Sequence, residues 1–277
     1  RIIYTHGIGL AMVPVNEVTT EGQPVLLVKN MPPVSAEGAP PVSEPRIYFG
    51  EAPSDYVIVR AVQDEFDYPR GEGDAGGETG ERTRWSGDTG IGLDTTLSRL
   101  LYAMRFRDLD MLISDQVTVD SELLMHRSLG ERLALIAPFL AYDKDPYVVV
   151  NEAGRLVYIQ DAFTTSDRFP NAEYFDPAAL GETGIRTGPI NYIRNSVKVV
   201  MDAYDGSMTF YVADPSDPII RAWQGVFPGL FKPLDELPAD LWAHLRLPED
   251  LFNVQNDVFG RYHVTDPEKF FLEDDRW

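Results

Sequence analysis

Residues 196–212 constrain the fold of this chain more than any other stretch. Two runs of alternating apolar side chains flank Asp205-Gly206, the dipeptide that favours a two-residue type I′ turn because both turn positions require positive φ. Pairing the strands about that turn sets Ala203 opposite Met208, Met201 opposite Phe210 and Val199 opposite Val212. Strand side chains alternate, so all six share one face. The other face pairs Tyr204 with Ser207, Asp202 with Thr209 and Val200 with Tyr211, a mixed and partly polar set. The pattern predicts a half-buried antiparallel sheet.

Other segments extend this picture. Residues 8–15, 24–28, 46–50 and 56–62 read as short strands separated by proline-rich connections. Residues 71–92 are crowded with glycine and acidic side chains and read as a mobile surface loop, because little there can be buried to offset ordering entropy. Asp94 is a candidate N-cap for a helix with Leu97, Leu100, Leu101 and Met104 on its inward stripe. A second helix is expected after Asp120, with Met125, Leu129, Leu133 and Ile136 on one face and a stop near Pro138. Residues 146–150 and 155–161 form a hairpin about Asn151-Glu152-Ala153-Gly154. Pro238 and Pro248 suit helix first turns, and Leu251, Val254, Val258 and Tyr262 form an inward stripe that Gly260 could end. Strands and helices come in blocks without a repeated βαβ pattern. The fold class is therefore α+β, a largely antiparallel sheet with packed amphipathic helices. A division into a strand-rich part, 1–92, carrying the acidic Gly-rich loop 71–92, and an α+β core, 93–277, is expected.

The net charge of −20 repels phosphate backbones, so nucleic acid is not an expected partner. Anionic headgroups are repelled in the same way. The chain contains no cysteine, which removes disulfides, thiolate metal sites and cysteine nucleophiles together. Its longest apolar stretch lies around Leu133 to Tyr142 and contains Pro138, well short of the roughly twenty residues a bilayer span needs. Arg1-Ile2-Ile3-Tyr4 shows neither an initiator methionine nor a targeting segment, and a piece of a longer chain is expected.

A series of motifs then carries a resemblance. Tyr4-Thr5-His6-Gly7, Pro45-Arg46-Ile47-Tyr48-Phe49-Gly50-Glu51 and Glu65-Phe66-Asp67-Tyr68-Pro69 occur in that order. Glu131-Arg132, Ala137-Pro138-Phe139-Leu140, Asp143-Lys144-Asp145-Pro146-Tyr147 and Asp161-Ala162-Phe163-Thr164-Thr165-Ser166 follow. The series continues with Asn191-Tyr192-Ile193-Arg194-Asn195-Ser196-Val197-Lys198, Asp202-Ala203-Tyr204-Asp205-Gly206 and His244-Leu245-Arg246-Leu247-Pro248-Glu249-Asp250-Leu251-Phe252. In order and spacing it resembles uncharacterised protein family 0182, large multi-pass membrane proteins of actinobacteria and other bacteria. The resemblance implies that residues 1–277 are a soluble region on the extracytoplasmic face of the cell membrane. On that resemblance its partner would be the rest of its own membrane-spanning chain; a homo-oligomer is a further expectation. Aromatic residues such as Tyr48, Phe49, Tyr56, Trp85, Tyr158, Tyr192, Tyr211 and Trp223 could line a groove for an envelope glycan or peptide. The resemblance supplies no catalytic residues and no cofactor.

The residues themselves offer few sites. His6, His126, His244 and His263 lack metal-ligand spacing. Trp85-Ser86-Gly87 is not a nucleophile elbow. Gly71-Glu72-Gly73-Asp74-Ala75-Gly76 matches a dinucleotide fingerprint formally, but its acidic flanks would repel a pyrophosphate. Asp143 and Asp145 before one strand, and Asp214 and Asp217 after another, are the candidate metal ligands, with Ca²⁺ the cation such oxygen-rich turns attract. The reading is a non-catalytic binding or assembly domain; the alternatives are a cell-envelope hydrolase using Asp/Glu chemistry and the outer cap of a transporter or channel.

Overall fold

The computed structural model describes residues 1–52, 55–70, 80–272 and 274. The Gly71–Gly76 motif and the first part of the acidic loop, through residue 79, lie outside the described residues. The fold is α+β with largely antiparallel pairing. The chain forms two compact units, the first built from Arg1–Ile136, Val150–Val157 and Met201–Ser207, the second from Ala137–Val149, Tyr158–Val200 and Met208–Trp277.

In the first unit strands are short, because proline and glycine interrupt the ladder every few residues. β1 (Gly7–Ile8) pairs with β4 (Arg46–Ile47), and β2 (Val28–Lys29) with β3 (Val34–Ser35). β6 (Glu65–Phe66) pairs with β7 (Arg82–Thr83). β5 (Val57–Val59), β9 (Glu122–Leu124) and β8 (Ile91–Gly92) make a three-stranded antiparallel sheet with β9 in the middle. Its core is Tyr56, Ile58, Leu93, Ala103, Met111, Val117 and Leu123. Helices α1 (Thr96–Phe106), α2 (Asp110–Ile113) and α3 (Leu129–Ile136) complete the unit.

Two sequence expectations fail here for identifiable reasons. α1 is capped by Thr95, whose hydroxyl accepts from the Ser98 N–H at 3.1 Å, and its stripe Leu97, Leu100, Leu101 and Met104 faces solvent. The helix carries a second i, i+3, i+4, i+7 set two residues out of phase: Arg99, Tyr102, Ala103 and Phe106. That set faces the core, where Ala103 is buried and Phe106 lies 4.2 Å from the Tyr56 ring. Two residues are roughly 200° of rotation, so the two stripes are opposite faces. The helix expected after Asp120 is instead the strand β9, with Leu123 and Leu124 both buried. His126 takes φ +51°, a left-handed conformation that helices do not accommodate, and α3 begins only at Leu129.

The central turn is wider than Asp-Gly alone suggests. Gly206 has φ +70°, but Asp205 does not share a positive φ, so the turn is not type I′. The Gly206 N–H donates to the Asp202 carbonyl at 2.9 Å, and the Asp202 N–H donates to the Ser207 carbonyl at 3.0 Å. Ser207 therefore lies opposite Asp202, not opposite Tyr204. The cause is the Asp202 side chain, which accepts from the backbone N–H groups of Tyr204 and Asp205 at 2.8 and 3.1 Å and offers the chain a competing Asx turn. Arg155 grips the same carboxylate bidentately at 2.8 and 2.7 Å. Gly206 is required for space as well: a Cβ there would lie 2.6 Å from Cδ1 of Phe49.

The second unit is organised by one sheet, in the order β10 (Ala141–Tyr142), β12 (Leu156–Ser166), β13 (Tyr192–Asp202), β14 (Met208–Val212), β15 (Phe231–Pro233), with β11 (Tyr147–Val150) also on β12. The hairpin of β11 and β12 about residues 151–154 is as the sequence indicates, with Gly154 at φ +74°. β14 and β15 run parallel. The central strands are buried on both faces: nine consecutive residues of β12 from Leu156 to Thr164, and Ser196 to Val199 of β13. Nearer the hairpin turn the alternation returns: Val199, Met201, Ala203, Phe210 and Val212 are buried, while Val200, Asp202 and Thr209 on the other face stay partly exposed beside the buried Tyr204 and Tyr211. α4 (Pro218–Val226) contributes Trp223, which stacks on Phe139 at 4.1 Å. α5 (Ala239–Trp242) is short, and α6 (Glu249–Tyr262) packs Val254 against Ala141, Phe163 and Ile185. α7 (Pro267–Phe271) ends the described chain apart from its last few residues. Pro238 and Pro248 sit at N-cap positions. The inward stripe of α6 stops after Val254: Val258 and Tyr262 are exposed, and the helix runs on through Gly260.

Candidate functional site

The four aspartates singled out from sequence lie in the second unit and do separate work. Asp217 is the N-cap of α4, accepting from the N–H groups of Ile219 and Ile220 at 3.1 and 3.3 Å. Its carboxylate also accepts from Thr164 at 2.5 Å, Ser196 at 2.6 Å and Tyr192 at 2.6 Å. Burial pushes this carboxyl up, but the hydroxyl and backbone donors outweigh burial and hold it below the usual range. Asp217-Pro218 is a capping signature, an N-cap acceptor followed by proline at N1, and that signal is readable in the sequence. Asp214 accepts from Ser216 and pairs with Arg194 at 2.9 Å, and both partners lower its pKa.

Asp143 and Asp250 lock the start of α6. The Asp250 N–H donates to Asp143 Oδ2 at 2.8 Å, while Asp250 Oδ2 accepts from the N–H groups of Lys144 and Gly184 at 2.9 Å each. Asp143 Oδ1 accepts from the Asp145 N–H at 3.1 Å. Burial, with the nearby charges of Asp250 and Asp161, raises the Asp143 pKa. Asp145 points elsewhere, to Arg246 at 2.5 Å. Behind them Lys198 pairs with Asp161, both buried, and donates to the Arg246 carbonyl at 3.2 Å. Among the described residues no group of three or more His, Asp or Glu is arranged to hold a metal ion.

The first unit holds a denser polar cluster centred on Glu65, which is 1% exposed. Its Oε2 accepts from the Thr5 hydroxyl and from the Tyr48 hydroxyl at 2.7 Å, and its Oε1 from the Trp85 N–H at 3.0 Å. His6 bridges onward, with Nδ1 3.0 Å from the Thr5 hydroxyl and Nε2 3.2 Å from Asp67. Arg46 closes the chain bidentately on Asp67 at 2.6 and 3.1 Å. Burial pushes the Glu65 carboxyl up, yet the bonds from His6, Thr5, Tyr48 and Trp85 prevail and hold it low. The Tyr48 phenol is driven upward by burial and by Glu65. Burial also lowers Arg127 to about 10, its guanidinium serving the carbonyls of Tyr48 and Thr5 at 2.6 Å each. Tyr204 stands edge-on to Tyr48, and its hydroxyl accepts from the Ser86 N–H at 2.9 Å.

A cavity of about 350 Å³ in this unit is lined chiefly by Ile2, Ile58, Met111 and Val117, with Arg1, Tyr56 and Asp108 at its polar side. The Arg1 guanidinium lies 4.4 Å from the Tyr56 ring centroid and pairs with Asp108 at 3.4 Å. Burial and the bond to Asp108 push the Tyr56 phenol up to about 12. The cavity's polar groups thus satisfy one another. Nucleophile-like contacts exist at Ser196 and Thr164 beside Asp217, but all three are fully buried and closed to substrate. These polar groups fix turns, caps and strand ends.

The surface offers a different feature. Leu97, Leu100, Leu101 and Met104 of α1 are 64, 41, 54 and 64% exposed, and Leu109 and Ile113, the N-cap and last residue of α2, are 69 and 78% exposed. A soluble helix normally keeps one face polar; α1 is apolar on both.

Comparison with known proteins places these observations. The model of Uncharacterised protein family (UPF0182) matches residues 1–277. The chain is 43% identical over 277 residues to a UPF0182 protein of Desulforamulus reducens, covering all of this chain and 28% of that relative. It is 43% identical to a UPF0182 protein of Methanospirillum hungatei, covering 29% of it. It is 45% identical to one of Cupriavidus necator, covering 28%. The chain thus spans little more than a quarter of the length of these relatives. No solved structure matches.

Proposed function

The chain belongs to uncharacterised protein family UPF0182, and on that premise we propose that it is a non-catalytic binding or assembly module on the extracytoplasmic face of a longer membrane protein. The observation that carries the binding role is α1, whose outer face presents four large apolar side chains directly opposite the face packed on the core. An exposed patch of that kind marks a contact surface. The polar networks support the non-catalytic reading, because their carboxylates and hydroxyls bond one another inside the fold. The membrane setting rests on the family resemblance. Among the described residues no helix is long and apolar enough to cross a membrane, so attachment would reside outside them. The relatives' length, more than three times the matched region, supplies room for it.

Residues 1–277 contain no cysteine, so thiols can be placed one at a time in the longer protein once any cysteines outside this region are replaced. Leu101→Cys and Glu37→Cys, each a single thiol at an exposed position, are expressed in the native host and treated with a membrane-impermeant maleimide on whole cells. Labelling at position 37 with protection at position 101 is expected, while the purified chain labels at both. Equal labelling of both positions in cells overturns the binding role, and no labelling at position 37 overturns the extracytoplasmic placement.

A further inference from the structure

We propose that His6 is held as an imidazolium inside the first unit, where it is a proton-operated latch joining the chain before β1 to β6 and the Asp67 that follows it. The hydrogen bonds around the ring require this. The Thr5 hydroxyl has one proton and gives it to Glu65, a carboxylate that can only accept. Toward His6 Nδ1, 3.0 Å away, that hydroxyl is left as an acceptor, so Nδ1 must carry a proton. On the other side Nε2 lies 3.2 Å from Asp67 Oδ1. Arg46 grips Asp67 bidentately, so this carboxylate is also an acceptor and Nε2 must carry a proton too. A neutral imidazole has one N–H and one acceptor nitrogen. Only the cation serves both partners.

Charge balance agrees. The His6 side chain is fully enclosed, with Glu65 Oε2 3.7 Å from Nδ1. The charged groups that face the ring or its partners are the carboxylates of Glu65, Asp67 and Glu44 and the guanidiniums of Arg46 and Arg127. Glu44 pairs with Arg46 at 2.9 Å, and Arg127 donates to the Thr5 carbonyl at 2.6 Å. Three negative groups against two positive leave one charge uncompensated, which the imidazolium cancels. Tyr48, whose ring centroid is 4.7 Å from that of His6, is the remaining titratable neighbour, and its hydroxyl donates to Glu65. Loss of the second ring proton sets one acceptor against another. Either the Thr5 hydroxyl turns away from Glu65 to reach Nδ1, or the Nε2 lone pair meets Asp67. In both cases residues 5 and 6 lose a tie to the neighbouring strand. The folded unit thus keeps a proton that an unfolded histidine releases near its ordinary value of about 6.5, and the stabilisation is present at low pH and lost as pH rises.

The test is the ring-nitrogen NMR spectrum of the purified chain at pH 7.5, where an unperturbed imidazole is about nine-tenths neutral. The chain has four histidines, and His126→Asn, His244→Gln and His263→Gln together leave His6 alone to be read. Protons on both ring nitrogens are expected. A ring protonated only at Nε2, which moves the shared proton to Glu65 and reverses Thr5, overturns the proposal, as does one protonated only at Nδ1. Urea unfolding reads the latch itself. Between pH 7 and 8 the unfolding constant of the wild type should rise close to tenfold relative to that of His6→Gln. A ratio that stays constant means the proton is not tied to folding, and overturns the latch. Should His6→Gln fail to fold, the ring spectrum, which leaves His6 in place, decides alone.

Discussion

Replacing Glu65 by Gln removes a charge and keeps the shape, and the structure sets the cost. The carboxylate accepts three hydrogen bonds, from Thr5, Tyr48 and the Trp85 N–H. An amide has a single acceptor oxygen. In its better orientation that oxygen keeps Thr5 and Tyr48, and the NH₂ group then faces the Trp85 N–H donor to donor. A buried N–H left without an acceptor costs about 1–3 kcal/mol, and the two retained bonds lose the charge assistance that roughly doubles their strength. The sum is about 3 kcal/mol. Urea denaturation at pH 7, followed by tryptophan fluorescence, should show the midpoint falling by roughly 1 M at unchanged slope, taking a slope near 3 kcal/mol/M. The pH dependence provides an independent check. The folded-state pKa of Glu65 lies below its ordinary value, so its contribution is fully present above the unfolded pKa near 4.5 and is lost as pH falls through the folded value. The gap between wild type and Glu65→Gln should therefore narrow progressively as pH drops below about 4.5. A loss under 1 kcal/mol at pH 7, or a gap that stays constant into acid, would refute the reasoning.

Further expectations follow from other sites. Gly206→Ala should cost about 2–4 kcal/mol in thermal or urea unfolding, combining left-handed strain with crowding against Phe49; a neutral result would mean the turn relaxes freely. Asp217→Ala should cost about 2–3 kcal/mol, since it removes an N-cap and the acceptor of two buried hydroxyls and of the part-buried Tyr192 phenol, and Asp214→Ala, which breaks an exposed pair, under about 1 kcal/mol. Lys198→Met should cost about 3–5 kcal/mol by leaving Asp161 buried and unpaired, with Lys198→Met/Asp161→Leu recovering more than half; an additive double variant would show that the pair is not coupled. Millimolar Ca²⁺ should leave the melting temperature within about 1 °C, because oxygens of all four candidate aspartates already accept hydrogen bonds within the fold; a rise of several degrees would reveal a site by linkage.

Fold class and the hairpin about residues 151–154 are legible in the sequence because alternation and turn chemistry are local signals. The direction of α1 is not. Two stripes share the helical period, the more apolar of them facing out, and only tertiary packing, in which Ala103 is buried, Phe106 meets Tyr56 and Arg99 bonds the Leu93 carbonyl, decides between them. The same indeterminacy produces the helix expected after Asp120, where Met125, Leu129 and Leu133 happen to fall at helical spacing across a strand, a left-handed His126 and a later helix start. Asp205-Gly206 marks a reversal, as its chemistry indicates, but the register there is decided by the Asp202 carboxylate and its Arg155 partner, a contact across 47 residues. Asp217 is visible as an acid near a strand end, and the proline beside it signals its role as a cap. Glu65 carries no local signal, since the donors that define its site come from residues 5, 48 and 85.

The turn over Phe49 also bears on the order in which the chain can be made. The first unit draws its last piece, Met201–Ser207, from far downstream of its bulk, and the bond from Ser86 to Tyr204 spans 118 residues. At roughly 5–20 residues per second of synthesis, Trp85 emerges about 6–24 seconds, and Tyr48 and Phe49 about 8–31 seconds, before the loop that closes over them. During that interval the nascent N-terminal half exposes its aromatic cluster, and a chain cut after Ile136 would expose it permanently. The first unit is therefore complete only once β13 has delivered its final turn.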